Sequence, residues 1–181
     1  MTQYLNAFPF APPAFILGAV IVFFVSRPLA QRVEERRIVL VCWMASLVFI
    51  LALTLTPSSY ALSMEPGVLM SRNWVWDLPD MSAFFSVNWQ SMNLLMFMPI
   101  GITSALFARR KSIAVFATVA YATSVIVELI QYLVLPLARP QFNSATVVIG
   151  WIGITLGIAA GLLIRTMLKR SAAVNSAADS G

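Results

Sequence analysis

The sequence predicts an all-α membrane protein, a polytopic bundle of about five transmembrane helices. The chain is 60% hydrophobic and only 10% charged, whereas soluble domains average about 25% charged residues. Five apolar runs approach the ~20 residues that cross a bilayer as helix, and basic residues cluster in alternate connections between them. We therefore expect one transmembrane domain over residues 1–170 and a disordered cytoplasmic tail over residues 171–181, where serine, alanine, asparagine and glycine prevail.

The apolar runs differ in length and in how their helices begin. In chain order they are Phe10–Ser26, Ile38–Thr56, Ser91–Ala108, Ser112–Leu135 and Ala145–Ile164. The first is short and opens with Pro12 and Pro13, which a first helical turn tolerates. No basic residue precedes this run and no small-residue cleavage site follows it, so we interpret it as a helix rather than a signal peptide.

The basic residues predict the orientation of the bundle. Ten of the twelve fall on one side if five helices cross and the N-terminus lies outside: Arg27, Arg32, Arg36, Arg37, Arg109, Arg110, Lys111, Arg165, Lys169 and Arg170. The positive-inside rule places that side, and the C-terminus, in the cytoplasm. The clusters are therefore interpreted as topological signals that also attract anionic lipid headgroups, and we expect no nucleic-acid partner.

The residue types that are missing exclude several kinds of chemistry. The chain has no histidine, which removes the commonest general base and metal ligand. Its one cysteine, Cys42, allows no internal disulfide and makes a structural zinc site unexpected. We expect no metal, no cofactor and no catalytic residue, because Glu128 is the single acid within the five runs.

The long second connection, Pro57–Gln90, is rich in aromatic residues. It contains Trp74, Trp76 and Trp89, and such rings settle at the level of the lipid headgroups. We expect part of Trp74–Gln90 to lie along the outer membrane interface. An ordinary loop with interfacial anchors is favoured over a lid that covers a substrate.

Glu128 is the residue that most needs an explanation. It lies about 10 Å below the outer end of the fourth run at 1.5 Å per residue, where an ionised carboxylate in hydrocarbon costs at least a few kcal/mol. Ser124, Gln131 and Tyr132 share its helical face. We therefore predict that this face contacts protein or a wet cavity and that the other faces contact lipid.

Further polar residues are expected near the same outer end. Asn93 lies one turn below the start of the third helix, and only Arg109–Lys111 joins that helix to the fourth, which makes the two antiparallel neighbours. We predict a cluster of Asn93, Glu128, Gln131 and Arg139. It either locks the helices together or forms an outward-facing site for a lipid headgroup, a peptide or carbohydrate group, or a proton. A third hypothesis, an enzyme that pairs Glu128 with an acid of the second connection (Asp77 or Asp80), is weaker.

Two helices carry residues with predicted structural roles. Pro99 removes a backbone hydrogen bond from the third helix and is expected to kink it, and Gly101 follows closely. In the fifth helix Gly153, Gly157 and Gly161 recur every four residues, a spacing that allows close helix approach. This glycine face packs within the bundle or against a second copy or another membrane protein.

These motifs resemble those of a known family. Asn93 to Gly101 resembles the N-x-x-x-F-x-P-x-G signature of VanZ-like membrane proteins, Glu128 to Gln131 resembles their E-x-x-Q, and Arg139 stands where an arginine follows. The resemblance covers roughly residues 40–165. Family members carry an aspartate and then an asparagine after that arginine, whereas this chain has Ala145 or Thr146, and Gly150, so it resembles a divergent member.

The resemblance implies a small multi-pass protein of the bacterial inner membrane. The founding family member is associated with low-level resistance to the lipidated antibiotic teicoplanin, and no enzymatic reaction is established for the family. The leading hypothesis is a protein whose outward-facing cluster binds or handles an envelope lipid or amphiphile. The alternative is a non-enzymatic accessory or assembly subunit of a larger membrane complex.

Overall fold

The computed structural model describes residues 7–63, 73–133 and 141–178, and these are mostly helical. The helices are α1 (Ala11–Val33), α2 (Arg37–Leu55), α3 (Ser59–Leu62), α4 (Trp89–Ala105), α5 (Arg110–Leu133) and α6 (Ser144–Ala178). Two short strands, β1 (Asn73–Val75) and β2 (Gln141–Asn143), and a 3-10 helix (Met81–Phe85) lie in the connections. The prediction of an all-α protein is confirmed.

Four helices of the described chain are long and apolar enough to cross a membrane: Ala11–Val33, Arg37–Leu55, Arg110–Leu133 and the Ser144–Ser171 part of α6. They correspond to four of the five predicted runs. The remaining run forms α4, which has 17 residues and continues through Pro99. The chain therefore has the helices of a membrane protein.

Two helices extend beyond their predicted ends. α1 runs on through Pro28 to Val33, and near this proline the Arg37 guanidinium and the Ser26 hydroxyl donate to the Phe23 carbonyl at 3.0 and 3.1 Å. α6 continues to Ala178, so residues 171–178 are helical where the composition predicts a disordered tail. The physical reason is that alanine, frequent in this segment, has the highest helix propensity. Residues 179–181 lie outside the described chain.

α4 is the central helix, packed against α2, α5 and α6. Leu40, Ile100, Phe107 and Ile154 are fully buried around it. The Trp43 indole N–H donates to the Ser104 hydroxyl at 2.9 Å within this core. A buried indole N–H needs such a partner, so this bond fixes α2 against α4.

The glycine face of α6 packs directly against the backbone of α4. A Cβ atom at Gly157 would overlap the Met98 carbonyl oxygen, and one at Gly101 would overlap the Ile154 carbonyl oxygen. Gly153 and Gly161 meet α4 carbonyl oxygens in the same way. The spaced glycines are therefore used within the bundle, in accordance with the first of the two predicted alternatives.

The basic clusters gather at one end of the bundle. The Glu35 carboxylate, between α1 and α2, accepts the backbone N–H groups of Ala108 and Arg109 at 2.8 and 3.2 Å. Arg109 forms an ion pair with Glu34, and the Arg165 guanidinium donates to the Ala108 carbonyl at 2.9 Å. The first connection, the third connection and the later part of α6 therefore lie together.

The opposite end is covered by a two-stranded ribbon that the sequence does not predict. β1 and β2 pair in parallel with Trp74 opposite Phe142, and we call residues 73–75 and 141–143 the β-ribbon. The Asp77 N–H donates to the Ser144 hydroxyl at 2.9 Å, and that hydroxyl donates to the Asp77 carbonyl at 2.8 Å. These bonds join the second connection to the start of α6.

Candidate functional site

Four helix ends converge on one small cavity beneath the β-ribbon. Its volume is about 20 Å³, and its polar lining consists of Thr54, Asn93, Ser124, Glu128, Gln131 and Thr146. Such a volume admits about one water molecule or one group of similar size. The cavity therefore brings together three of the four residues of the predicted cluster.

The cavity lies close to the end of each helix that lines it. Thr54 is one residue from the end of α2, Asn93 is four residues into α4, and Thr146 is two residues into α6. Glu128 is five residues before the end of α5. At 1.5 Å per residue, these four side chains start within about 8 Å of a helix end.

Glu128 is buried against protein, with 5% of the residue exposed. Its Oε2 atom accepts the backbone N–H of Asn143 at 3.2 Å. The Asn143 side chain accepts the N–H of Ala145 at 2.8 Å, so this residue also caps the start of α6. The positive end of the α6 dipole thus lies beside the Glu128 side chain.

Gln131 is buried one turn further along the same face of α5. Its side-chain amide donates to the Thr54 carbonyl at 2.7 Å, within the last turn of α2. The carbonyl groups in the last turn of a helix have no partner within that helix. Glu128 and Gln131 therefore satisfy backbone groups at the ends of two different helices, which is the behaviour predicted for an interhelical lock.

The other lining residues are less constrained. Asn93 is half-buried, and its side-chain amide makes no hydrogen bond within the described residues. The Ser124 hydroxyl donates locally to the Tyr121 carbonyl at 2.9 Å. Because an amide both donates and accepts hydrogen bonds, Asn93 is the lining side chain most available to a bound group.

The positions at which the chain departs from the VanZ-like pattern lie at or beside this cavity. Thr146 lines it. A Cβ atom at Gly150 would lie 2.9 Å from the Ser124 Cβ and 3.3 Å from the Phe97 ring, so a larger side chain would not fit without a shift of its neighbours. Arg139, the fourth residue of the predicted cluster, lies outside the described residues.

Asp77 and Asp80, the described acidic residues of the second connection, do not line the cavity. Asp77 accepts the N–H of Leu78 at 2.8 Å, and Asp80 caps the 3-10 helix. Across the described chain, no group of three or more histidine, cysteine or acidic residues is arranged to hold a metal ion. The cavity offers one carboxylate among amides and hydroxyls, an arrangement suited to accepting hydrogen bonds from a ligand.

Sequence reasoning missed two contributors, the Thr54 carbonyl and the Asn143 N–H. Both are backbone groups, so neither residue type indicates the contact. The one available signal is general, because every helix end leaves backbone groups that seek partners. Two buried polar side chains near several predicted helix ends indicate that such contacts exist. They do not identify which backbone groups take part.

Comparisons with known proteins give no neighbour from which to transfer a function. No family model matches the chain, and neither a curated protein nor a solved structure matches it. Membership of the VanZ-like family stays a prediction that depends on the motifs around Asn93 and Glu128.

Proposed function

We propose that the protein is a five-span, VanZ-like protein of the bacterial inner membrane whose Glu128 cavity binds a hydrogen-bond-donating group of an envelope amphiphile. The observation that carries this proposal is the buried Glu128 carboxylate, complemented by the start of α6 and adjoining a cavity that Asn93 also lines. A carboxylate in this position accepts hydrogen bonds from amines and hydroxyls.

The contacts at the basic end support five spans. Because Glu35 binds Ala108 and Arg109, α4 ends beside the start of α2 and must begin at the far end of the bundle. Its 17 residues cover about 26 Å, somewhat less than the ~30 Å of hydrocarbon. The positive-inside rule then places the basic end in the cytoplasm and the cavity near the outer leaflet.

The charge and size of the cavity favour one class of ligand. The start of α6, which would otherwise attract an anion, already faces Glu128. A phosphate group would find this helix start already occupied by Glu128, whereas an amine or a hydroxyl would donate to the Glu128 oxygens. A volume of about 20 Å³ admits a single such group, so the rest of the amphiphile stays among the surrounding lipids.

Amphiphiles that share one alkyl chain and differ only in their headgroup test this proposal. We would titrate dodecylamine, dodecanol and dodecyl phosphate into the purified full-length protein in nanodiscs and measure binding by calorimetry. We expect the amine to bind best and the phosphate to bind at least tenfold more weakly, which corresponds to about 1.4 kcal/mol.

Substitution of Glu128 tests whether the amine binds at the Glu128 cavity. Glu128→Gln should weaken amine binding at least tenfold, because a hydrogen bond to a charged group contributes about 1.5–3 kcal/mol. The control is Thr155→Val, which removes a hydroxyl that bonds Tyr121 at 2.7 Å on the exposed side of α5 and α6. Equal affinities of the Glu128→Gln variant and the unmodified protein would refute the proposal.

An accessory-subunit function is the second candidate, and the exposed apolar side chains of Trp76, Phe85 and Val87 favour it. Docking through the glycine face would have to compete with its packing on α4. Purification in mild detergent separates the two candidates. One stoichiometric protein partner favours the subunit, and an isolated chain that retains a specific lipid favours amphiphile binding.

A further inference from the structure

Residues 80–91, which lead into and begin α4, form a turn whose polar groups bond one another and which exposes most of its large apolar side chains. We call this segment the 80–91 turn. It lies at the end of the bundle that carries the β-ribbon, and its 3-10 helix packs on α4. Its hydrogen bonds and its exposed side chains are independent of the Glu128 cavity and of any family resemblance.

Asn88 organises the inner side of the turn. Its Oδ1 atom accepts the N–H groups of Gln90 and Ser91 at 2.8 and 3.1 Å. Its Nδ2 atom donates to the Ala83 carbonyl and to the Ser86 hydroxyl, both at 2.7 Å. The Ser91 hydroxyl donates to the Ser86 carbonyl at 2.7 Å. Five backbone or side-chain groups are thus satisfied within the segment itself.

Asp80 closes the other side of the turn. Its carboxylate accepts the hydroxyl and the N–H of Ser82 at 2.7 and 2.9 Å. The hydrogen bond from the Ser82 hydroxyl, helped by the backbone N–H groups of Ser82 and Ala83, lowers the pKa of Asp80. The carboxylate is therefore charged at neutral pH and stays at the level of water and headgroups.

The apolar side chains point away from this polar interior. Phe85 is 94% exposed and Val87 is 89% exposed, and Met81 and Trp89 are more than half exposed. Exposed apolar side chains grouped in one segment mark an interaction site. Polar groups that bond one another beside exposed apolar side chains suit a lipid interface, although the buried Gln90 Oε1 atom has no partner among the described residues.

The charge of residues 73–90 indicates which kind of membrane surface they can contact. Residues 73–90 contain Asp77 and Asp80 and no basic residue, so attraction to anionic headgroups does not hold the segment at the membrane. We propose that the 80–91 turn inserts Phe85 and Val87 into the outer leaflet interface, and that this insertion needs no anionic lipid.

Spin labels at single cysteines test the insertion. In the full-length protein with Cys42→Ser, we would label Phe85→Cys and Val87→Cys, and as references Val20→Cys on the exposed face of α1 and Arg110→Cys at the basic end. In phosphatidylcholine nanodiscs, collision rates with oxygen and with a water-soluble nickel complex report lipid and water contact. We expect the oxygen and nickel collision rates at positions 85 and 87 to lie between those at position 20, in the hydrocarbon, and those at position 110, in water, with no change when phosphatidylglycerol is added.

Two results would overturn the proposal. Nickel accessibility at 85 and 87 equal to that at position 110 would place the turn in water. Low collision rates with both reagents would mean that protein, such as a second copy of the chain, covers the turn. Because both side chains are almost fully exposed, their replacement removes little packing, and the two positions give independent readings.

Discussion

Buried polar side chains in this protein are matched to backbone groups at helix ends. Glu128 accepts the N–H that precedes α6, and Gln131 donates to a carbonyl in the last turn of α2. Both contacts use groups that a helix cannot satisfy internally. The end of the bundle that carries the β-ribbon is therefore sensitive to single substitutions that remove a side-chain donor or acceptor.

We predict that Gln131→Leu destabilises the protein by about 1–3 kcal/mol, because the Thr54 carbonyl loses its donor in a buried place. Unfolding in mixed detergent micelles, followed by circular dichroism, measures the change. Thr155→Val serves as the control, and an exposed polar pair of this kind should contribute less than about 1 kcal/mol. Equal losses of stability in the two variants would mean that burial of the Gln131 hydrogen bond adds nothing to its contribution.

Single helices depend on contacts made by other elements, and α5 is an example. The Glu35 carboxylate receives the N–H groups just before α5 and a hydrogen bond from the Ser112 hydroxyl in its first turn. Burial raises the pKa of Glu35, but these hydrogen bonds and the Arg109 charge outweigh burial, so the pKa is lowered. A negative group at a helix start is also favoured by the helix dipole.

The lowered pKa of Glu35 predicts a pH dependence of stability. The ionised form is favoured in the folded state, so its contribution is full above the ordinary pKa of 4.5 and is lost as pH falls through the lowered folded value. We expect Glu35→Gln to lower stability by about 0.5–1 kcal/mol at pH 7, a figure reduced for solvent exposure, and to matter less near pH 3.

Thermal unfolding of Glu35→Gln and Glu34→Gln at both pH values checks this. Glu34 pairs with Arg109 at the surface, and such pairs contribute about 0–1 kcal/mol. A pH-independent difference between Glu35→Gln and the unmodified protein would contradict the assignment of the helix-start charge to Glu35.

The close packing of α6 against α4 depends on glycines such as Gly157. Gly157→Ala places a Cβ atom on the Met98 carbonyl oxygen, which belongs to a rigid helix backbone. We expect a loss of about 1–3 kcal/mol. Gly18→Ala is the comparison, because there the new Cβ meets a side chain, Val48, instead of a helix backbone. Equal melting temperatures of the two variants would show that α4 and α6 separate without strain.

Labelling of single cysteines tests the orientation of the whole molecule in the membrane. We expect a cysteine at Asp77 to react with a membrane-impermeant maleimide in intact spheroplasts and a cysteine at Arg110 to react only after lysis, both with Cys42→Ser. The reason is that α4 lies between these positions and must cross if five helices span. Labelling of both from the same side would mean that α4 does not cross.

Much of this architecture follows from length and pattern, and some of it does not. Apolar runs predict the helices, and the spacing of Glu128 and Gln131 predicts that both lie on one buried face. The β-ribbon joins three-residue strands that are far apart in the chain, and strands this short carry no pattern of alternation. The contacts at Thr54 and Asn143 escape prediction because backbone atoms have no residue signature.

The length of α6 has a consequence for how the protein presents its last segment. Its 35 residues measure about 52 Å, against about 30 Å of hydrocarbon. The excess continues the helix instead of forming a loose tether. A fluorophore at Ser171 would stand about 10 Å beyond Ile164, at one fixed height, so energy transfer to acceptors in the lipid surface should show a single narrow distance.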